Sequence, residues 1–429
     1  MITEKTVSTN KSKPRVLLSA YQCVPRMEAV SQIGWQWYFR LARRLPTTLI
    51  THIRNRDDIL KAGAPFADSE IIFIDTEWFA KPYYKLICKL FPNSEHARDL
   101  LFSPDFYLFD WLAIRQVKAR QLAGKDWDII HSVTPVSPMA LTRLHKLKKP
   151  IILGPWNGGL KNPTTFPEIM REDSGWLYSV RYLGSLVNLA FGTTKNATTI
   201  LTATQATLKI IPTRHHDHCR FLIENGVDLD IFTPAPWPEA PSINNPLCIL
   251  FVARFQPFKG LPMLLEAIAR LQPKVPIKLT VIGDGVLREK WHDIAKKLNI
   301  NHLINWMGPR LPVEIVKQLH ISHVLCLPSV RESGGAVLLE AMACARPVLT
   351  IKYGGPAEVV NDEVGYAIPP EGGIPAVIDA LVQSLQDIVI HPTVWKKRGE
   401  VGRQKAVELY GWEAKIEQAL ELYQELLTK

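Results

Sequence analysis

The sequence predicts an α/β protein built from two doubly wound parallel-sheet domains that face a cleft. Three observations predict it. Strand-like and helix-like stretches alternate along the chain, which is the pattern of strand–helix–strand units. The strand-like stretches are near-continuous apolar runs, as expected of parallel strands buried on both faces. A proline-rich break at residues 233–246 (TPAPWPEAPSINNP) interrupts the alternation, which then restarts. The 429 residues, 47% hydrophobic, suffice for two domains of about 200 residues each.

The elements follow in order. Residues 1–14 are polar and read as a disordered tail. The first domain, 15–232, has strand patterns at RVLLSAY (15–21), TTLITHI (47–53), EIIFIDT (70–76), DIIHSVT (128–134), PIILGPW (150–156), ATTILTAT (197–204) and CRFLIEN (219–225). Helical patterns lie between them, including GWQWYFRLARR (34–44) and SPMALTRLHKL (137–147). Residues 233–246 form the linker. The second domain, 247–408, has strands at LCILFVAR (247–254), IKLTVIGDG (277–285), HLINWMG (302–308), HVLCLPS (323–329), PVLTIK (347–352) and GYAIPP (365–370). A helical pattern over 393–428 breaks at YGW (410–412), so 409–429 is read as a separate terminal helix.

Composition excludes several classes. No apolar stretch approaches the roughly 18 residues of a spanning helix, and the N-terminus has no apolar signal core. The six cysteines show no paired spacing, so they read as reduced, buried thiols of a cytoplasmic protein. Residues 1–200 hold 27 Lys and Arg against 17 Asp and Glu, whereas the remainder holds 24 of each. An anionic partner for the first half is therefore expected. Within it, WFAKPYYKLICKLF (78–91) puts Lys81, Lys85 and Lys89 on one helical face, opposite Tyr84, Ile87, Cys88 and Phe91. That pattern suits either a helix packed on the sheet with its lysines in water or one lying on an anionic surface at the inner face of the cell membrane. No metal is expected: RHHDHCR (214–220) fits no closed zinc spacing, and DLD (228–230) reads as a turn. No G-x-G-x-x-G follows the first strand, no Walker or G-x-S-x-G sequence appears, and nucleic-acid patterns are absent.

The chemistry concentrates in RESGGAVLLEAMACARPV (331–348). Glu332 lies in the loop after a strand, and Glu340 falls in the second turn of the following helix, with Ser333 as the expected N-cap. The free N–H groups of Gly334, Gly335, Ala336 and Val337 offer an anion site at the helix start. Carboxylates accept from paired hydroxyls. Two of them flanking a phosphate site suit a nucleotide sugar: ribose, diphosphate, hexose. FVARFQPFKG (251–260) adds Arg254 and Lys259 within reach of a diphosphate. Gly283, in the turn IGDG (282–285), passes beneath a nucleobase. KYGGPAEVV (352–360) is a third glycine turn.

These segments, with VIGDGVLREKW and ENGVDLDIFTP (224–234), resemble the retaining glycosyltransferases of family 4, also called glycosyl transferases group 1, which have the GT-B fold. The resemblance covers most of the chain from about residue 195 and is patchier before it. It implies two Rossmann-like domains, the first binding the acceptor and the second the donor, with KAVELYGWEAKIEQALELY (405–423) crossing back onto the first. It implies that Arg254 and Lys259 bind the donor diphosphate, Glu332 the sugar hydroxyls and Glu340 the ribose, with the amides of Gly335, Ala336 and Val337 on the phosphates. The reaction implied is metal-free sugar transfer with retention, and the donor is a UDP- or GDP-sugar used as substrate, with no cofactor. In a subset of the family, a histidine after the strand ending in HSVTP (131–135) and a glycine loop such as GPWNGGLKNP (154–163) line the cleft. This nominates His131, Gly158 and Gly159. The first loop, SAYQCVPRMEAVSQIGWQW (19–37), matches that subset at Ala20, Tyr21, Cys23, Pro25, Gly34 and Trp35. It departs at Arg26, Glu28, Ala29 and Val30, which marks either an unusual acceptor, the reading the donor-side residues favour, or an impaired activity. Ala345 stands where the family has a helix-ending glycine.

The function expected is retaining transfer of a sugar to a saccharide or lipid-linked acceptor, in cell-surface polysaccharide or glycolipid synthesis. The alternatives are a non-catalytic nucleotide-sugar-binding scaffold and a GT-B nucleotide-sugar epimerase.

Overall fold

The computed structural model describes residues 13–25, 29–66, 68–90, 103–172, 191–272 and 274–428. Most of the expected tail, Arg26 to Glu28 of the first loop, and Phe91 lie outside the described residues.

The first sheet has the order β3-β2-β1-β4-β5-β6-β7. Its strands are β1 (Val16–Ala20), β2 (Thr47–His52), β3 (Glu70–Ile74), β4 (Ile129–Thr134), β5 (Ile151–Trp156), β6 (Thr199–Thr202) and β7 (Cys219–Phe221). Strands β1 to β5 pair in parallel, with Val16 opposite both Thr47 and Ile129. Every residue of β1, β2, β4 and β5 is buried, which is why these segments read as unbroken apolar runs. The helices described here are α1 (Ala29–Leu41), α2 (Arg56–Lys61), α3 (Glu77–Leu90), α4 (Ser103–Leu122), α5 (Pro167–Glu172) and α6 (Gln205–Ile210).

The second sheet is parallel throughout, in the order β10-β9-β8-β11-β12-β13. It comprises β8 (Leu247–Val252), β9 (Ile277–Ile282), β10 (Ile304–Gly308), β11 (Val324–Leu327), β12 (Val348–Ile351) and β13 (Gly365–Ile368). Its helices are α7 (Leu261–Leu271), α8 (Arg288–Lys297), α9 (Pro312–Ile321), α10 (Ala336–Ala343), α11 (Pro356–Val359), α12 (Gly373–Ile390), α13 (Pro392–Lys405) and α14 (Trp412–Thr428). A π-helical turn, Ala406–Tyr410, separates α13 from α14 at the expected break.

The chain divides into two compact units. One comprises 1–154, 187–200 and 420–429, and the other 155–186 and 201–419. This differs from the boundary read at 232/233: residues 155–172 and 201–232 pack with the second unit. The linker is not a loose tether. Buried Arg346 donates to the carbonyls of Ala235 and Pro236, and the Trp237 indole donates to His323 O. Five backbone carbonyls around one guanidinium satisfy its buried donors.

Two local expectations are corrected. Residues 137–147 contain only a 3-10 turn at Leu144–Leu147. Side chains capture the amides a helix would use: Ser137 Oγ accepts from Met139, Asp110 from Arg143 and Thr142 Oγ1 from Leu144. The second concerns spanning length: α12, at 18 residues, is long and apolar enough to cross a membrane. However, Val377, Leu381, Leu385 and Ile388 pack into the core of the second unit, and the helix carries Asp379 and Asp387.

Candidate functional site

In the second sheet the strand order reverses between β8 and β11. Ligands of open α/β sheets bind outside the carboxyl ends of the strands at such a reversal. Arg254 and Lys259 follow β8, while Glu332, Gly334 and Gly335 follow β11. The topology therefore delivers both segments to the same place.

There the side chains meet. Lys259 Nζ donates to Glu332 Oε2 in a half-buried ion pair. The other carboxylate oxygen accepts the Gly335 N–H at 3.3 Å. Gly335, at φ +60°, is the N-cap of α10 and supplies the left-handed conformation that starts the helix. Ser333, expected as N-cap, is exposed, and no side chain caps this helix. Glu332 thus occupies a cation and a helix-start amide at once, the two groups that a phosphate would also seek.

Gly334 matters because of what stands behind it. A Cβ there would fall closer than 3.0 Å to both Glu224 Oε1 and Asn225 Nδ2. Glu224 is 3% exposed, and its Oε1 accepts from the amides of Asn157 and Asn225. Burial raises its pKa, and the nearby Glu332 charge adds to that. Lys415 of α14, also buried, donates to the carbonyls of Ile223 and Asn225; burial lowers its pKa to about 7. The GPWNGG loop, the ENGV loop and the RESGG turn are therefore tied together around one carboxyl. Further ties run from Arg331 to Asn162 Oδ1 (2.9 Å), Tyr353 OH to Lys161 O (2.8 Å) and Gly355 N to Glu332 O (2.9 Å). Gly158 joins through Thr207 Oγ1, which bonds both its N–H and its carbonyl, and Gly159 follows in the same loop.

Three other nominated residues stand near these strand ends with fewer protein partners. The Glu340 carboxyl, on α10, has no hydrogen bond or ion pair among the described residues, and desolvation raises its pKa to about 7. The Arg254 side chain is exposed and likewise makes no hydrogen bond or ion pair among the described residues. At Gly283, a Cβ would strike Ala253 O, so the IGDG turn lies directly on the end of β8. Ala336 and Val337 open α10, half-buried.

Residues 237–401 match the family Glycosyl transferases group 1. The chain is 28% identical over 217 residues to a D-inositol 3-phosphate glycosyltransferase of Kribbella flavida, covering 47% of this chain and 50% of that protein. The chain spans about half the length of the curated relatives it matches. Among solved structures, HepE of Anabaena in complex with UDP and glucose aligns over 96% of this chain and 100% of its own, at TM-score 0.61 and 13% identity. The lipopolysaccharide outer core galactosyltransferase WaaB aligns over 95% and 99%, at 0.62 and 15%. These likenesses establish the GT-B fold.

Two nominated residues belong to the first unit. His131 is fully buried in β4. Its Nε2 donates to Gly154 O at 2.8 Å, which leaves Nδ1 to accept from Tyr423 OH at 2.6 Å. Trp37 packs edge-on against the ring, and burial holds the pKa near 4. His131 is thus neutral and holds Tyr423, near the end of α14. Gly34 lies inside α1, where a Cβ would meet the Gln22 carbonyl, so it sets how closely α1 approaches the chain after β1.

Sequence reasoning missed Glu224, Asn225, Asn157 and Lys415. All four stand in segments it had singled out. Only the fold places Glu224 and Asn225 behind Gly334, with Asn157 on the Glu224 carboxyl.

Proposed function

We propose that this chain is a retaining glycosyltransferase that moves a hexose from a UDP- or GDP-sugar to a hydroxyl acceptor. The observation that carries the reading is the Lys259–Glu332 pair on the Gly335 amide, at the strand-order reversal. Lys259 and Arg254 would neutralise charge as it builds on the leaving diphosphate. The bond from the sugar's anomeric carbon to phosphate oxygen breaks, a bond to the acceptor oxygen forms on the same face, and the acceptor proton passes to the departing phosphate. Glu332 would hold sugar hydroxyls, and the unpaired Glu340 carboxyl would accept from the ribose.

A cell-surface polysaccharide or glycolipid is the proposed product. The name of WaaB supports this, and so does the basic first half, which suits work at the inner face of a membrane on a lipid-linked or saccharide acceptor.

A thermal-shift screen against UDP-, GDP-, ADP- and dTDP-sugars tests the reading. One donor class should stabilise the protein, and Lys259→Ala should lose most of that stabilisation. Stabilisation by no donor would refute the reading. Stabilisation without sugar release would favour a nucleotide-sugar-binding scaffold.

A further inference from the structure

Helix α3, Glu77–Leu90, departs from its expected arrangement. The expected apolar face was Tyr84, Ile87, Cys88 and Phe91. In the fold, Ala80 and Ile87 are buried and form the inward line. The outward face is not purely basic. Trp78 is 69% exposed, Leu86 52% and Leu90 63%. Lys81, Lys85 and Lys89 are exposed among them. At about 100° per residue, Trp78, Lys85 and Lys89 fall within about 40° of one another, with Leu86 and Leu90 on one flank and Lys81 on the other. From Trp78 to Leu90 the helix has no acidic residue. Glu77 lies at its start, paired with Arg54 and Lys81.

We propose that the outward face of α3 docks the protein on an anionic lipid surface, with Trp78, Leu86 and Leu90 entering the headgroup layer and Lys81, Lys85 and Lys89 meeting lipid phosphates. The mixture selects this partner. A polyanion such as nucleic acid attracts lysines but gives nothing to an exposed Trp and two Leu. A purely apolar partner would leave three ammonium groups desolvated. An anionic membrane takes both: long lysine stems reach the headgroups while the indole and leucines leave water. The inward line, Ala80 and Ile87, stays packed in the first unit, so docking requires no unfolding of α3. The proposal deepens the membrane-face part of the proposed function and does not depend on the donor site.

The test is co-sedimentation of the full chain with vesicles of equal phosphatidylglycerol and phosphatidylcholine, compared with phosphatidylcholine alone. The wild type should pellet with anionic vesicles at low salt and be released at high salt. Lys81→Glu/Lys85→Glu/Lys89→Glu should weaken binding by about a hundredfold or more, at about fivefold for each lysine lost. Trp78→Ala/Leu86→Ser/Leu90→Ser should weaken it while leaving the residual binding salt-sensitive. All changed positions are exposed, and unaltered thermal unfolding and donor stabilisation will show that each variant is folded. No pelleting with anionic vesicles overturns the proposal. So does wild-type binding by both variants, or retention on heparin without vesicle binding. Failure of the donor screen with intact vesicle binding would sink the sugar-transfer reading and leave this one standing.

Discussion

Gly334→Ala probes the architecture behind the candidate donor site. The new Cβ would lie inside 3.0 Å of Glu224 Oε1 and Asn225 Nδ2. Both are side-chain ends, yet neither is free to retreat. Glu224 is buried and takes two amide hydrogen bonds, and Lys415 holds the Asn225 and Ile223 carbonyls. The turn gives way more easily, because Ser333 is exposed and the Gly335 N–H is held by a single 3.3 Å bond to Glu332. Overpacking costs about 1–3 kcal/mol. If about half of that reaches the bound state by displacing the Gly335 amide, nucleotide affinity falls roughly two- to twelvefold. Unfolding by urea and titration calorimetry with UDP and GDP measure the two effects. Adding Asn225→Ala removes one of the clashing atoms and should return about 1 kcal/mol of coupling in a double-mutant cycle. Wild-type stability together with wild-type affinity in Gly334→Ala would refute the reasoning.

Three further predictions follow from single residues. His131 has a depressed folded pKa near 4, so its contribution is complete above about pH 6.5 and is lost as pH falls towards 4. His131→Asn should flatten that acid limb, worth roughly 3 kcal/mol at most, in melts taken across pH, and should leave nucleotide affinity unchanged. Glu340 sits near pKa 7 while unpaired, and hydroxyl donors favour its carboxylate. Donor binding at neutral pH should therefore release protons and tighten as pH rises from about 6 to 8, an effect seen in calorimetry in buffers of different ionisation enthalpy and absent in Glu340→Gln. Ala345, just past α10, has φ +57°, where a side chain is strained. Ala345→Gly should stabilise by about 0.5–1 kcal/mol, or about 1–4 °C in melting temperature.

Much of the fold was legible because parallel strands buried on both faces leave unbroken apolar runs, and β1, β2, β4 and β5 are buried at every residue. The 137–147 segment misled because its apolar spacing is helical, while Ser137, Asp110 and Thr142 capture its amides. Asp110 lies far away in sequence, so no local pattern reveals it. On α3 the lysine spacing was visible, but which apolar residues face inward depends on the neighbouring structure. The donor-side segments were legible as motifs. The buried Glu224 carboxyl was not, since a glutamate beside a glycine turn looks the same in sequence whether it is solvated or wedged behind Gly334. The partners of His131 were hidden for a related reason, since a histidine at a strand end carries no mark of its two hydrogen bonds.

The most direct test of the central claim is sugar turnover by the wild type and Glu332→Gln, side by side, with the nucleotide sugar that stabilises the protein. The account predicts that the wild type releases nucleoside diphosphate and transfers or hydrolyses the sugar, while Glu332→Gln keeps the wild-type melting behaviour and loses turnover by at least about a hundredfold, the scale of a lost transition-state contact. Equal turnover by the two proteins would contradict it, and would remove the Lys259–Glu332 pair from the reaction.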